Sequence, residues 1–545
     1  ERLNLEEEHI IPLTGLPFPQ GDLPLEEARH YDAVRLFLRR AKRARPGFEL
    51  TAENVAAVLD ICRLVEGLPL GLELAAASLR AMPSREVARE IASNLDILVT
   101  RTRNVPERHK SLRSAFEHSW ALLTSKERAV LKGLAVFRSG FTREAASEVA
   151  GATIPVLAAL VDKSLLRLSP SGRFDRHPLL YGYSREKLAE EPKEQAEAGA
   201  KHAAHFLGLA ERLRSELLKP QGEGETGALK TLAEEHENLR AALAWSLEHD
   251  RGLAVRLAVA LRTFWEVRGL LAEACRWLEA ALAEPAEDVP LRTRFAAFTA
   301  CGRFLLLRGQ KDRAEELFDA ALELSRVTGH PRDMAEALNH LGLLALERGD
   351  YQRAESLCGQ ALALHRTHGN KRGVAVTLNN LGNIARCQRD HVKAAALFEE
   401  SLALHRELGI RRSEAVALGN LGFVARHLGE VARAAELFGE SIAIRHELGD
   451  EIGLAHSFLG LAGLLREMQD YERAATLLGV TDSLLETTSV ELALADRGDY
   501  EQTVAITRAQ LAEGSFERFW ARGYGLPTDR AVARTLELSK VYRRS

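Results

Sequence analysis

The sequence lacks long apolar runs and has little excess charge of either sign. No run of 18 or more apolar residues occurs among its 545 residues, so we expect no membrane-crossing helix. The formal net charge is −4, which gives no overall attraction to nucleic acid or to an anionic lipid surface. The five cysteines are scattered without a C-x-x-C spacing. We therefore expect neither a disulfide framework nor a metal site, and a cytoplasmic location.

Motifs of several catalytic families are also missing. The chain contains no Gly-Lys dipeptide, and therefore no phosphate-binding loop of the form G-x-x-x-x-G-K-[ST]. It contains neither H-E-x-x-H nor G-x-S-x-G. We predict that this chain is not by itself an enzyme, and we assign no catalytic residues and no metal ligands. The chain opens at Glu1 rather than at Met, and we expect it to be a fragment of a longer protein.

What the sequence does contain is a forty-residue repeat. Small residues recur at this spacing, namely Gly302, Gly342, Gly382 and Gly422, and Ala314, Ala354, Ala394, Ala434 and Ala474. A third register holds Phe318, Cys358, Phe398, Phe438 and Leu478. Apolar residues at i, i+3, i+4 and i+7, broken by turns such as RGD and LGE, predict two amphipathic helices in each unit. The small residues let these helices approach closely, and the large ones fill the gaps.

This pattern resembles the tetratricopeptide repeat in a longer form. The match is strong over residues 295–482, and a divergent unit precedes it at 255–294, where Arg262 replaces the glycine. The resemblance implies a superhelix whose concave face is lined by the first helix of each repeat. The residues that it places in this groove are Asn339, Asn379, Asn383, Arg386, Phe423 and Arg426.

The groove residues have two interpretations. An Asn side chain can hydrogen-bond to an extended peptide, and an Arg can pair with a carboxylate. These chemistries favour a peptide, a protein or a small-molecule inducer as the partner at the repeats. The alternative is that an Asn near a helix interior caps or bridges its neighbour. The sequence leaves both interpretations open for each residue.

Residues 109–190 predict a different module. Helical patterns in LRSAFEHSWALL, TSKERAVLKGLAVF, FTREAASEVAG and IPVLAALVDKSLL precede the alternating stretch LLRLSPSGRFDRHPLL, which predicts a β-hairpin. Helices followed by a hairpin are the order of a winged helix. Direct DNA binding is disfavoured, because residues 154–165 hold one Lys and one Asp among mostly apolar residues. A helix that reads the major groove needs several polar side chains on its exposed face.

Taken in order, the chain resembles the signal-transduction ATPases with numerous domains (STAND), in particular bacterial regulators of the AfsR, MalT and LuxR-type ATPase group. The Gly-Leu-Pro-Leu block in CRLVEGLPLGLELAA carries much of this resemblance. It implies a mainly α fold, with a small helical domain and a winged helix followed by an α-solenoid of tetratricopeptide-like helical hairpins. The implied domains are the end of a nucleotide-binding core (1–24, its last strand and a linker), the small helical domain (25–108), the winged helix (109–190), a helical linker (191–254), the repeat superhelix (255–494) and a helical cap (495–545).

The resemblance also implies nucleotide-binding residues. In the family, the Gly-Leu-Pro-Leu turn lies against the bound nucleotide, which corresponds here to Gly67, Pro69 and Leu70. A winged-helix histidine reaches the β-phosphate of ADP, and the matching residue is His177, beside Arg176, which could add charge. Arg176 and Pro178 depart from the Met and Asp of the family motif. The alternative for His177 is a core histidine at the end of the hairpin.

Two functions from different classes follow. In the first, the chain is the regulatory and sensor half of a nucleotide-switched signalling ATPase or transcriptional regulator. Its repeats bind a ligand or partner, while the Gly-Leu-Pro-Leu turn and the winged helix clamp ADP in the resting state of the full protein. ADP or ATP is then a cofactor of the full protein, whose nucleotide-binding core lies upstream, and oligomerisation on activation stays open. In the second, the chain is a passive tetratricopeptide scaffold without nucleotide switching.

Overall fold

The computed structural model describes residues 15–93, 97–98, 111–217, 224–284 and 289–542. It divides into two units, which are described separately. The front unit comprises the described residues up to His205 together with Glu237–Ala242, and the repeat unit comprises Phe206–His236 and the described residues from Leu243 onward. The strand predicted at the start of the chain falls mostly on residues 1–14, outside the described residues. The described part is almost entirely helical, which confirms the mainly α fold class.

The front unit begins with five helices in the region predicted as a small helical domain. These are α1 Leu25–Ala28, α2 Asp32–Ala44, α3 Val55–Leu64, α4 Pro69–Ser78 and α5 Ser84–Ser93. Helix α2 packs on α4, and α3 packs on α5. Proline suits the first turn of α4, since its fixed φ is helical and its missing N–H would have no partner inside the helix. Leu72, Ala75 and Ala76 are fully buried, so the small-residue helix that follows the turn is a core element.

The second part of the front unit contains the predicted hairpin. Its elements are α6 Leu112–Ala121, α7 Ser125–Gly133, a 3-10 turn at Leu134–Val136, α8 Arg143–Ala150, α9 Ile154–Asp162, β1 Arg167–Leu168, β2 Phe174–Asp175 and α10 Pro178–Ala189. Thr124 and Glu127 form a capping box at the start of α7. The strands pair antiparallel, with Leu168 opposite Phe174, and Phe141 forms an isolated bridge with Phe174.

The helices from α11 onward include those of the repeat unit. They are α11 Pro192–Leu217, α12 Glu225–Glu234, α13 His236–His249, α14 Arg251–Val267, α15 Leu271–Leu282, α16 Leu291–Leu307, α17 Lys311–Thr328, α18 Pro331–Glu347, α19 Tyr351–Thr367, α20 Lys371–Cys387, α21 His391–Glu407, α22 Arg411–His427, α23 Val431–Leu448, α24 Glu451–Glu467, α25 Tyr471–Thr488, α26 Leu494–Gln510, α27 Ser515–Tyr524 and α28 Thr528–Tyr542. From α16 to α25 they form successive hairpins, each packed on the next.

The three predicted registers form the core of these hairpins. A Cβ atom added to the repeat glycines would lie 2.5–2.7 Å from the large residue sixteen positions later, for example Gly382 from Phe398 and Gly422 from Phe438. Real Cβ atoms do not approach so closely, so only glycine allows this packing. The five repeat alanines are fully buried, as are Phe318, Phe398 and Phe438.

The turns inside the hairpins use the left-handed backbone region. Gly309, Gly349 and Gly429 have φ of 73°, 79° and 79° at the same register. Arg389 and Gln469 occupy this register in the other two repeats, with φ of 64° and 62°. A side chain at such φ costs about 1 kcal/mol relative to glycine. An aspartate then caps the second helix, as Asp350 does by accepting a hydrogen bond from the N–H of Arg353 at 3.0 Å.

The last helices fold back onto the repeats instead of extending the superhelix. Helix α26 packs against α20, α24 and α25, while α27 packs on α25 and α28 on α23. The backbone N–H of Glu491 donates to the carbonyl of Leu307 at 3.0 Å, which joins the segment before α26 to the end of α16. Within the described ranges no single helix is long and apolar enough to cross a membrane, although α8 and α9 pass the length and composition test as a pair bent by 107°.

Candidate functional site

The Gly-Leu-Pro-Leu turn of the front unit has a constrained backbone. Glu66 and Gly67 have φ of 45° and 66°. The carbonyl of Gly67 accepts a hydrogen bond from the N–H of Leu16 at 2.9 Å. A Cβ on Gly67 would lie 2.1 Å from the Leu16 carbonyl oxygen, so glycine is required by the backbone conformation and by this close approach. Pro69 is exposed and Leu70 half-buried, so the proline ring is accessible beside a fixed backbone.

His177 lies on this turn. Its Nδ1 accepts a hydrogen bond from the N–H of Leu179 at 3.1 Å and thereby caps α10. Because Nδ1 is an acceptor, the neutral ring carries its proton on Nε2. Nε2 lies 3.3 Å from the carbonyl oxygen of Val65, four residues before Pro69. The fold therefore brings the histidine and the proline turn together, with an Nε2–H donor directed at the turn.

The electrostatics around His177 are close to neutral. Its Nε2 lies 3.8 Å from the Glu66 carboxylate, which also forms an ion pair with Arg167 of β1. Burial lowers the pKa of His177, and the Glu66 charge opposes this only in part. The imidazole is consequently neutral at pH 7, while Arg167 offsets the negative charge of Glu66.

Arg176 does not reach the turn. Its side chain is buried, its Nη2 donates to the carbonyl of Phe137, and its guanidinium lies 4.7 Å from the centre of the Tyr181 ring. Burial lowers its pKa to about 10. The structure therefore brings His177 to the proline turn, whereas it directs the neighbouring Arg176 into the interior of the front unit.

In the repeat unit, two of the predicted groove asparagines bridge neighbouring helices. Asn339 Oδ1 accepts from Asn380 Nδ2 at 3.1 Å, and Asn379 Oδ1 accepts from Asn420 Nδ2 at 2.9 Å. The third, Asn383, has a buried Oδ1 with no hydrogen-bond partner among the described residues. The bridging geometry matches the structural alternative for the first two, while Asn383 keeps an open acceptor.

The other predicted groove residues are covered by α26. Arg386 Nη2 lies 2.6 Å from Asp496 Oδ1, and Arg426 Nη2 lies 2.8 Å from Asp499 Oδ1. Phe423 is fully buried beneath both arginines, whose guanidinium carbons lie 4.8 and 5.5 Å from its ring centre. Three of the six residues predicted to line the groove are therefore covered by a helix of the same chain.

The two aspartates of α26 are held in their charged form. Burial alone would raise the pKa of Asp496, but the charges and hydrogen bonds of Arg386 and His456 hold it below its usual range. Burial likewise opposes ionisation of Asp499, yet His427 and Arg426 lower its pKa to about 2. Because both acids and arginines are largely buried, each charge depends on its partner.

A cavity of about 260 Å³ lies beside these ion pairs, within the repeat unit. Asn383, Arg386 and Arg445 line one part of it, and residues 490–493 before α26 line another. Nε atoms of Arg386, Arg412 and Arg445 are buried without a hydrogen-bond partner among the described residues. The cavity is thus lined by polar and cationic side chains, among them Asn383, Arg386, Arg412 and Arg445, which suit a small polar molecule.

A partly buried charge triad forms another part of the cavity wall. Glu266 of α14 pairs with Arg303 at 2.9 Å and with Arg412 at 3.0 Å. Burial would raise the pKa of Glu266, but the two guanidinium groups hold it below its usual value. This triad ties α14 and α16 to α22, residues that are far apart in sequence.

Sequence reasoning missed Asp496, Asp499 and Glu266 as partners of the groove. One signal was available, because Arg386, Arg426 and Arg466 are forty residues apart and lie at the ends of three successive first helices. Arginines repeated on one face of the repeats need carboxylate partners. Asp496 and Asp499 could have been recognised as such partners, because they are one helical turn apart and lie on the same face of a helix. Nothing in the repeat pattern indicates that these acids belong to the same chain.

The comparisons with known proteins identify the repeats. The family model described as tetratricopeptide repeat matches residues 333–407 and 413–479.

Within the described part of the chain, no group of three or more His, Cys, Asp or Glu side chains could hold a metal ion.

Relatives and solved structures extend the comparison. The chain is 31% identical over 329 residues to proteins of Mycobacterium bovis and Mycobacterium tuberculosis that are named as HTH-type transcriptional regulators. The match covers 57% of this chain but only 37% of each regulator, so the chain spans little more than a third of their length. It is also similar to a STAND protein with a tetratricopeptide repeat sensor from Pyrococcus horikoshii, at 13% identity and a TM-score of 0.40, covering 94% of this chain and 74% of that one. Residues 333–407 and 413–479 of this chain are thus tetratricopeptide repeats, and the relatives agree with the predicted resemblance to bacterial regulators.

Proposed function

We propose that the chain is the regulatory and sensor half of a nucleotide-switched STAND signalling ATPase or transcriptional regulator. The observation that carries the nucleotide part is the contact of His177 Nε2 with the Val65 carbonyl, at the turn that bears Pro69. A region predicted as a winged helix thus touches the turn predicted to lie against the nucleotide. The regulatory role is supported by relatives named as transcriptional regulators.

The residues at the turn have chemistry that suits a nucleoside diphosphate. Gly67, Pro69, Leu70 and His177 would hold it in the full protein, whereas the buried Arg176 is left out of the proposal. The N-cap bond at Nδ1 holds the His177 ring in place, with its neutral Nε2–H donor at the turn. A terminal phosphate oxygen would replace the Val65 carbonyl as the acceptor of this donor. The nucleotide, when bound, supplies the charge that decides whether the hairpin stays on the turn.

The repeats supply the sensor in this proposal. Their groove carries paired arginines and asparagine amides, and arginine and asparagine side chains line the adjoining cavity. A peptide, a protein or a small-molecule inducer would act there by stabilising one arrangement of the full protein over another.

The experiment measures release of a fluorescent ADP analogue from the complete protein. His177→Ala should speed release at least tenfold, because it removes the donor, and His177→Asn should do the same while keeping a residue able to cap α10. His118→Ala, which alters an exposed histidine of the same unit, is the matched control and should leave release unchanged. Unaltered release from both His177 variants would overturn the nucleotide role and leave the passive scaffold.

A further inference from the structure

Helix α26 covers the groove arginines, and its apolar residues Tyr500 and Val504 are only partly buried where they pack against the neighbouring core. Its fully buried residues are Asp496, Thr503 and Thr507, all polar. Helix α24, which packs beside it, buries Phe458, Leu461 and other apolar side chains along most of its length. Segments with few buried apolar contacts are the ones that open locally at low cost. Helix α26 is therefore attached to the repeats by the ion pairs of Asp496 and Asp499 together with a few partly buried apolar contacts.

The groove offers more arginine donors than α26 uses. Arg386, Arg426 and Arg466 form an arginine ladder across three successive repeats and are all buried. Asp496 and Asp499 pair with the first two, while Arg466 pairs with Glu467 on its own helix. Nε and Nη1 of Arg386 and Nη1 of Arg466 are buried without a hydrogen-bond partner among the described residues. Of the three arginines, α26 therefore pairs with two, through carboxylates that lie one helical turn apart.

We propose that α26 is a built-in occupant of the groove, and that the external partner is a helical protein segment presenting two carboxylates one turn apart. This inference rests on the sensor part of the proposed function and names its partner class and its regulation. Because one carboxylate pair replaces another, the buried arginines stay paired throughout the exchange. A neutral segment would leave them unpaired, and an unpaired buried charge is strongly destabilising.

The tether makes α26 autoinhibitory. A segment joined to its site by a short connection acts at an effective concentration on the order of 1 mM, so an outside helix must bind far better than a free copy of α26 to displace it. Displacement also moves residues 490–493, which line the cavity. Partner binding in the groove and opening of the cavity are therefore one event.

The test uses a fluorescent synthetic peptide of residues 489–510 and the whole chain. In the chain variant Asp496→Lys with Asp499→Lys, both ion pairs become repulsive, so α26 should lose amide hydrogen-exchange protection. The peptide should then bind this variant at least tenfold more tightly than it binds the unaltered chain. A peptide carrying Asp496→Asn and Asp499→Asn should not bind. The matched chain control, Glu501→Lys with Gln502→Lys on the exposed face of α26, should behave like the unaltered chain.

Two results would overturn the proposal. One is that α26 keeps its protection in the double lysine variant, and the other is that it opens but the peptide does not bind. Should that variant fail to fold, the second measurement adds the peptide to the unaltered chain at several times the effective concentration of the tether, that is above about 1 mM, where exchange in α26 must rise. These readouts involve no nucleotide, so their failure is distinct from an unaltered ADP release in the His177 variants.

Discussion

The proline turn of the front unit and the arginine groove of the repeat unit were both predicted to bind partners, and both are contacted by other parts of the chain. The turn is held by one neutral hydrogen bond from His177 and by the half-exposed Arg167–Glu66 ion pair. The groove is held by the ion pairs of Arg386 and Arg426, whose side chains are 4% and 0% exposed. A neutral contact can be exchanged for many ligands at little cost, whereas buried charges accept only a partner that keeps them paired. The two regions therefore differ in selectivity.

The largest expected effect is the loss of stability on removing a buried ion pair, compared with removing an exposed ion pair of the same repeat. Arg426→Met leaves Asp499 without its guanidinium partner, and the free energy of opening α26 should fall by about 3 kcal/mol. Arg433 also pairs with two glutamates, Glu399 and Glu430, but is 47% exposed, so Arg433→Met should change stability by less than about 0.5 kcal/mol. Amide hydrogen exchange of residues 494–510 measures the first effect, and chemical denaturation measures the second. Equal effects of the two changes would contradict the distinction.

A smaller effect should come from the wall of the groove. Gly382→Ala places a Cβ 2.5 Å from the Phe398 ring, and we expect it to destabilise the repeat unit by about 1–3 kcal/mol. Gly359→Ala is the matched control, because no atom lies within 4 Å of its added Cβ and the residue is inside α19. That change should stabilise the chain by up to about 1 kcal/mol through helix propensity. Chemical denaturation of both variants checks the pair, and a loss of stability in each would argue against close packing as the cause.

The smallest effect is the order in which the two contacts weaken on acidification. Burial lowers the pKa of His177 below its ordinary value of 6.5. The stabilisation from the turn contact is therefore fully present above pH 6.5 and is lost as the pH falls from there through the lowered pKa. The pKa of Asp499 is lowered from 3.8 to about 2, so the groove contact should be constant down to about pH 4 and be lost toward pH 2. Hydrogen exchange at residues 178–181 should therefore rise at a higher pH than exchange in α26. The reverse order would show that the groove depends on another titrating group.

Most of the repeat unit could be predicted because its packing is periodic. The glycine at 382 and the phenylalanine at 398 belong to one contact repeated every forty residues, so sequence spacing reports spatial contact directly. Arg389 and Gln469 show the limit, since they adopt the left-handed turn conformation that glycine has at the same register. The hairpin fixes the turn there despite a side chain that disfavours it.

The candidate sites were less predictable than the fold. The resemblance predicted that Pro69 and His177 lie at the same nucleotide, and it also assigned Arg176 to that site. Arg176 points into the interior instead, because adjacent residues on an extended backbone point in opposite directions. The assignment of a partner-binding groove to the asparagines, arginines and phenylalanine of the repeats stays a prediction. Their exposure depended on α26, whose sequence carries no forty-residue signature.

By itself, the sequence determined the helical hairpins, their forty-residue period and the small and large residues that pack together in them. These features depend on residues close together in sequence, so they are visible as local periodicities. Only the tertiary structure decided that Asp496 and Asp499 meet and cover Arg386 and Arg426, and that His177 lies on the proline turn. Such contacts join residues about 70 to 110 positions apart for the groove and 112 for the turn. They depend on how the chain returns on itself, which no local pattern encodes.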